Sequence, residues 1–304
     1  MIFTNNLNLP PVLERALKTD NYSKNTKYSV TQLLKSDRSI ILEQRHPDYH
    51  TDVSENLWRF LGHAVHHFLE SGEGREDLTE ERIAYMTSCG ADVSGQLDHY
   101  DGKTLTLTDF KITTKYKVLR EDYDDYQKQL SILAWLLMRA GFEVKKIQNI
   151  LILRDWNRQD ERKIPNAIAV IKHELLDTID GLPIQVWIDG RVEQIEICQK
   201  LSDDDLPECS EEYRWATDDE YKVYWNESNA ENPRSKKNFD NREDAEAYAR
   251  ELEAKDNGKK TYRVEFVSGY KFKRCEYCNA SEFCSQYNKG VGNGQNNRTF
   301  AASA

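Results

Sequence analysis

Apolar residues recur at Leu57, Phe60, Leu61, Ala64, Val65, Phe68 and Leu69, the i, i+3, i+4 spacing that lays one helix face on a core. Gly62 and His66 border that stripe. The period then shortens. Residues 91–100 and 103–112 are β-prone and are joined through Asp101-Gly102, which predicts a hairpin. Residues 121–140 return to helical spacing, with Tyr126, Leu130, Leu133 and Leu137 on one face and Gly141 at the stop. Ile147 to Leu153 reads as a buried strand, Ala167 to Ile171 as another, and Ile184, Trp187, Ile188, Val192 and Ile195 mark a further helix. Ahead of these, residues 1–35 read as loop and short helix leading to a helical entry at Ser29-Val30-Thr31, with Thr31 as its cap. Strands interleaved with helices predict an α/β layered domain over residues 1–204, a mixed central sheet flanked by helices.

The remainder has a different texture. Tyr221 to Trp225 and Tyr262 to Val267 read as strands and Arg242 to Glu253 as a polar helix, all lying between Cys209 and a cluster of cysteines. Residues 205–289 are therefore expected to be a separate cysteine-bearing region with a small α+β insertion. Residues 290–304, GVGNGQNNRTFAASA, hold too little apolar material to order themselves and are expected to be a flexible tail.

Composition narrows the function classes. The 304 residues carry a formal net charge of −10, which argues against a protein that coats nucleic acid through bulk positive charge and leaves room only for a local basic groove. The N-terminal MIFTNNLNLPPVLERAL lacks a basic segment followed by an apolar one, and no run approaches ~18 consecutive apolar residues. The expectation is a cytoplasmic protein without a membrane partner.

The chemistry concentrates in Asp109-Phe110-Lys111, preceded at a gap of ten residues by Asp98. On a strand, residues two apart share a face, so Asp109 and Lys111 project together. Two carboxylates converging on one point repel unless a cation sits between them, and hard oxygen ligands suit Mg²⁺ or Mn²⁺. Such a cation polarises a phosphate oxygen and lowers the pKa of bound water, while Lys111 holds that water or stabilises charge on the phosphoryl oxygens. His66 can add an imidazole nitrogen, with Glu70 one turn later to orient the ring. His63 and His67 lack a third ligand at zinc-protease spacing and are read as solvent-exposed. Gln129, beside its helix's apolar stripe, needs partners that are either backbone groups or a substrate phosphate and attacking water.

Gly62-His63-Ala64-Val65-His66, Gly95-Gln96-Leu97-Asp98, Asp109-Phe110-Lys111 and Gln129 together resemble the ordered motifs of RecB-like PD-(D/E)XK nucleases. The resemblance covers roughly residues 28–200. It implies His66, Asp98 and Asp109 as metal ligands with the Phe110 carbonyl as a further one, Lys111 as the catalytic lysine and Gln129 as a substrate-positioning residue. Leu133 stands where the family often has a tyrosine. A strict two-residue turn at Asp101-Gly102 would pair Asp98 with Leu105, about 13 Å along the strand from Asp109. Either the turn is wider, or a bulge or strong twist brings the carboxylates together.

Six cysteines occur, and Cys275, Cys278 and Cys284 crowd within ten residues, with Cys209 the best candidate for a fourth ligand. In a cytosolic chain this favours a metal over disulfides, and four thiolates hold either an iron–sulfur cluster or tetrahedral zinc. The three resemble the C-terminal cysteines of iron–sulfur members of the same nuclease family, implying a [4Fe-4S] cluster, with Zn²⁺ as the alternative. Those relatives usually draw their first cysteine from before the nuclease motifs, and here the earliest is Cys89. Cys209 instead resembles the cysteine before a small insertion in phage-encoded relatives. Cys89 and Cys198 read as packing residues.

The expected function is a Mg²⁺- or Mn²⁺-dependent deoxyribonuclease, acting as an exonuclease on DNA with a free end or single strand; the resemblance further implies a place in phage or bacterial replication or recombination, in a bacterial cell or phage-infected host, alongside a protein of those processes. Lys115, Lys117, Arg120, Lys271, Lys273 and Arg274 are candidate guides for the DNA backbone. The alternatives are a catalytically silent DNA-end-binding or scaffold protein of the same fold, and a protein-interaction module organised by zinc.

Overall fold

The computed structural model describes residues 1–19, 26–72, 74, 77–227 and 234–291, and alternates short strands with helices over that span. Most of the expected tail, residues 292–304, lies outside the described residues, as does the side chain of Glu70. In chain order the first elements are β1 (Ile2–Thr4), α1 (Pro11–Lys18), β2 (Tyr28–Ser29), α2 (Val30–Leu33), α3 (Asp37–Arg45), β3 (His50–Asp52) and α4 (Leu57–Glu70). Next come β4 (Asp77–Thr79), β5 (Arg82–Met86), β6 (Asp92–Gln96), β7 (His99–Asp101), β8 (Thr106–Thr113), α5 (Lys115–Arg120), α6 (Asp124–Arg139) and β9 (Lys146–Leu153). The first unit closes with β10 (Ile168–His173), β11 (Thr178–Ile179), β12 (Leu182–Pro183) and α7 (Ile184–Cys198). The chain divides after Ser202, and the second unit carries β13 (Glu220–Trp225), β14 (Lys237–Phe239), α8 (Arg242–Lys255), β15 (Tyr262–Val267) and α9 (Ser285–Gly290).

The fold of the first unit is mixed α/β. A five-stranded sheet runs in the order β10-β9-β8-β7-β4, and a three-stranded sheet in the order β2-β6-β5. β8 and β9 are parallel, and the long connection that parallel strands require is supplied by α5 and α6. α6 is deeply buried: Leu130, Ile132, Leu136 and Leu137 are 0–1% exposed and meet Val93, Leu107, Ile147 and Ile188 in one core. Each such side chain contributes roughly 1.5–3 kcal/mol through its burial. In the second unit β13 lies between β14 and β15 in an antiparallel sheet, and Val223 packs on Ala245 and Ala249 of α8.

Three expectations need correction. Ser29, not Thr31, caps α2: its hydroxyl accepts from Gln32 N at 3.3 Å while Gln32 Oε1 accepts from Ser29 N at 3.1 Å. Ser29 is the last extended residue, whereas Thr31 is already inside the first turn. No described residue of α4 is fully buried, and Trp58 and Phe68 are 48% and 75% exposed, because the helix lies over β8 at the edge of the core instead of within it. The expected strand over residues 91–100 is two strands, β6 and β7, which belong to different sheets.

Candidate active site

The break between β6 and β7 falls at Leu97-Asp98, and a matching break between β4 and β5 falls at Glu80-Glu81. Thr79 pairs with His99 on one side of the bend and Arg82 with Gln96 on the other. The register therefore runs through unbroken, and Glu80 stands opposite Asp98. Hydrogen bonds hold the corner, from Glu80 N to the Asp98 carbonyl at 3.2 Å and from Leu97 N to the Glu81 carbonyl at 2.9 Å. Glu80 takes a left-handed backbone there, with φ of 56°.

The hairpin between β7 and β8 settles how Asp98 reaches Asp109. Its register pairs Asp101 with Thr106 and His99 with Thr108, so the loop has four residues, and Asp98 continues opposite Asp109. The Asp101 carboxylate shapes the loop by accepting from Lys103 N at 2.8 Å and Thr104 N at 3.1 Å. The wider turn is the one that occurs. One strand further, Asp109 pairs in parallel with Asn149. Glu80, Asp98, Asp109 and Asn149 thus form a row across four neighbouring strand positions, three of them carboxylates.

α4 supplies the imidazole. His66 Nδ1 lies 2.7 Å from Glu80 Oε1 and 3.7 Å from Asp98 Oδ1. Ligand atoms of His66, Glu80 and Asp98 all fall within 4.8 Å of one another. Glu80 Oε2 accepts from Gln96 Nε2 at 2.7 Å, and Gln96 in turn accepts from Arg82 at 2.8 Å, so Glu80 is fixed in place. Glu80 makes this contact to the ring, and the side chain of Glu70, expected to orient it, lies outside the described residues. His63 and His67 are exposed, as expected.

Asp109 is 3% exposed and both its oxygens are engaged, Oδ1 with Lys111 Nζ at 2.8 Å and Oδ2 with Asn149 Nδ2 at 2.7 Å. Asn149 is fully buried and its own Oδ1 lies 2.7 Å from His173 Nε2. Phe110 donates its N–H to Asp98 Oδ2 at 2.7 Å, which fixes the Asp98 carboxyl against β8.

Electrostatics follow from this crowding. Burial, then the neighbouring Asp109 charge, push the Asp98 carboxyl up to about 7. The hydrogen bond to Glu80 raises the His66 imidazole against the opposing effect of burial. Burial pulls Lys111 down, but the Asp109 and Asp98 charges outweigh it and the ammonium is held above its usual range. A row of like charges facing each other is destabilising unless something positive lies among them.

Gln129 and Leu133 on α6 line the same cleft of about 190 Å³ as His66, Glu80, Asp98, Asp109 and Lys111. The glycine of the Gly95-to-Asp98 segment has a packing reason: a Cβ at Gly95 would stand 2.2 Å from Leu133 Cδ2. Lys115, expected along the DNA path, is tied to Asp160 at 2.9 Å, and Lys117 sits over the Tyr126 ring at 4.5 Å.

No family model matches the chain, and no curated protein matches it either. Among solved structures it is similar to that of SSO0001, at 18% identity and a TM-score of 0.43 over 61% of this chain and 84% of that one. It is also similar to that of a phage related exonuclease from Haemophilus somnus 129PT, at 13% identity and a TM-score of 0.34 over 59% of this chain and 94% of that one. Both scores are low.

In the second unit, Gln286 of α9 clamps the main chain of Cys209, accepting from its N–H at 2.9 Å and donating to its carbonyl at 3.0 Å. α9 starts immediately after Cys284, so the clamp draws Cys209 toward the other cysteines. Burial raises the Cys275 thiol to about 12, and the charges of Cys209, Cys278 and Cys284 add to it. All six cysteines are free of disulfides. Cys198 is buried as expected, whereas Cys89 is exposed in a turn and does not pack.

Two site residues carry little signal in the sequence. Glu80 sits in a polar stretch, Thr79-Glu80-Glu81-Arg82, whose periodicity points to nothing. Its position becomes legible only when Ile83 to Tyr85 are paired with β6. Asn149 is more visible, as one of two adjacent polar residues, with Gln148, inside the otherwise apolar run Ile147 to Leu153.

Proposed function

We propose that this protein is a metal-dependent deoxyribonuclease of the RecB-like PD-(D/E)XK type, hydrolysing phosphodiester bonds exonucleolytically. The observation that carries the reading is the row Glu80, Asp98 and Asp109 facing His66 and closed at one end by Lys111. Three carboxylates and an imidazole converging in one cleft form a donor set of hard oxygens and one nitrogen, which fits Mg²⁺ or Mn²⁺. His66, Glu80 and Asp98 are the tightest set, with Asp109 alongside. When bound, such an ion polarises a phosphate oxygen and lowers the pKa of an attacking water.

The chain's own groups do the rest. Lys111, kept protonated by Asp109 and Asp98, neutralises charge growing on the phosphoryl oxygens. Asn149 holds Asp109 from behind and leaves its other oxygen to Lys111. Gln129 offers its amide to a phosphate oxygen from the α6 wall of the cleft. Phe110 fixes Asp98 through its N–H, and its carbonyl is retained as a further ligand on the resemblance alone.

In the second unit we assign Cys209, Cys275, Cys278 and Cys284 to a [4Fe-4S] cluster, with zinc as the alternative occupant. The Gln286 clamp on Cys209 and the electrostatic reach of Cys209, Cys278 and Cys284 to Cys275 support this.

The test uses a single-stranded DNA labelled at one end beside a closed single-stranded circle, each with Mg²⁺ or Mn²⁺ and then with a chelator. Loss of label from the linear strand, sparing of the circle and abolition by chelator are expected. Failure to cleave either substrate with either metal would remove the nuclease assignment, and cleavage of the circle would replace exonuclease by endonuclease.

A further inference from the structure

A second cleft, of about 180 Å³, shares His66 and Lys111 with the carboxylate site but is otherwise apolar. Phe110 and Ile112 of β8 and Ile152 of β9 form one side, with Ile112 and Ile152 paired in register. Trp58, Gly62 and Val65 of α4 form the other. Trp58, Arg154 and Gly62 make this more than a gap between a helix and a sheet.

Trp58 lines this apolar cleft and is 48% exposed, so part of its ring is open to a ligand. The Arg154 guanidinium lies 3.6 Å from the centre of the Trp58 ring and braces it. Arg154 is exposed and, among the described residues, pairs with no carboxylate, so its donors remain available to an anion.

Gly62 occupies a helix interior, where glycine costs about 1 kcal/mol relative to alanine. Neither packing nor backbone demands it: a Cβ there would meet nothing within 4 Å. Gly62 lines the cleft, so a side chain there would stand in open space.

We propose that this cleft binds an unpaired nucleobase of the substrate strand, adjacent to the phosphate at the carboxylate row, with the base packed on Trp58 and Arg154 reaching a flanking phosphate. The proposal rests on the nuclease reading above, since His66 and Lys111 line both clefts and so set them side by side. Every base has an apolar face, so stacking of this kind tolerates sequence. A base inside a duplex is already stacked on both sides and cannot enter, so the cleft selects single strands.

The test measures binding of a short labelled oligothymidylate to the full-length protein in chelator, beside Mg²⁺-dependent cleavage by the same preparations. Trp58→Ala is expected to weaken binding ~5- to 150-fold, the range for loss of one base–aromatic contact. Trp58→Phe should retain most of the affinity. Gly62→Met, which fills the cleft while keeping the Trp58 ring, should weaken binding and leave thermal melting intact. Binding by Trp58→Ala and Gly62→Met indistinguishable from wild type overturns the subsite, and if wild type still cleaves, the nuclease reading stands without it. Trp58-dependent binding by a wild-type protein that never cleaves is the opposite outcome: the base subsite holds and the hydrolase falls. Should one variant fail to fold, the other decides.

Discussion

Glu80 Oε1 lies 2.7 Å from His66 Nδ1, joining the corner of a bent β-ribbon to a helix that packs over its neighbouring strand. Because Gln96 holds the other oxygen of Glu80, the pair is fixed before any ion arrives. Loss of a partner that only orients a ligand typically costs about 10- to 100-fold in metal affinity, a lower bound for Glu80, which is itself placed among the ligands. Glu80→Gln is therefore expected to weaken Mn²⁺ binding by at least that order, measured by calorimetric titration, with the melting temperature little changed. Unaltered affinity would remove Glu80 from the site.

Among the described residues, Asn149 supplies the side-chain amide that bonds the buried Asp109 carboxylate. Asn149→Leu leaves Asp109 Oδ2 without that donor in a dry environment, at a cost of roughly 1–3 kcal/mol. The expected outcome is a lower denaturation midpoint together with a fall in cleavage rate that exceeds any change in DNA affinity. A variant with wild-type stability and rate would show that Asp109 needs no support from β9.

Gly95 meets Leu133 so closely that Gly95→Ala forces the Leu133 side chain to move within the core. Overpacking of this kind costs about 1–3 kcal/mol. Leu133→Ala removes the obstructing methyl groups, so the double variant should be more stable than the sum of the two single effects implies. Chemical denaturation of all four proteins gives the coupling directly. Strict additivity would mean that Gly95 is there for another reason.

The cysteine assignment has an analytical test. Protein purified without oxygen should carry iron and sulfide, with visible absorption that bleaches on reduction, and Cys275→Ser should lose both. A colourless protein with stoichiometric zinc would establish the alternative occupant, since zinc is spectroscopically silent. Absence of any bound metal would refute the site.

Much of this architecture is legible in periodicity. The helical spacing from Leu57, the buried run from Ile147 and the stop at Gly141 fall close to the observed elements, because each is set by local pattern and a single strong terminator. Asp98, Asp109, Lys111, His66 and Gln129 are legible as a set, and the structure brings all five to one cleft. The bend is not legible. A ribbon that leaves one sheet for another keeps its alternation through the corner, so nothing in residues 91–100 marks the change at Leu97-Asp98. Glu80 is hidden for the same reason, since its role depends on register with a distant strand. The exposure of α4 is hidden too, because an amphipathic stripe has the same spacing whether it faces a core or an open cleft.

The central claim is that the carboxylate row and Lys111 act on phosphodiester bonds. Its most direct measurement is the rate of nucleotide release from an end-labelled single strand at saturating Mg²⁺, comparing wild type with Lys111→Ala and Asp98→Asn. Wild type should release nucleotides and each variant should be slower on the order of 10²- to 10³-fold, the usual cost of removing one preorganised electrostatic group. Equal rates in all three proteins would contradict the account.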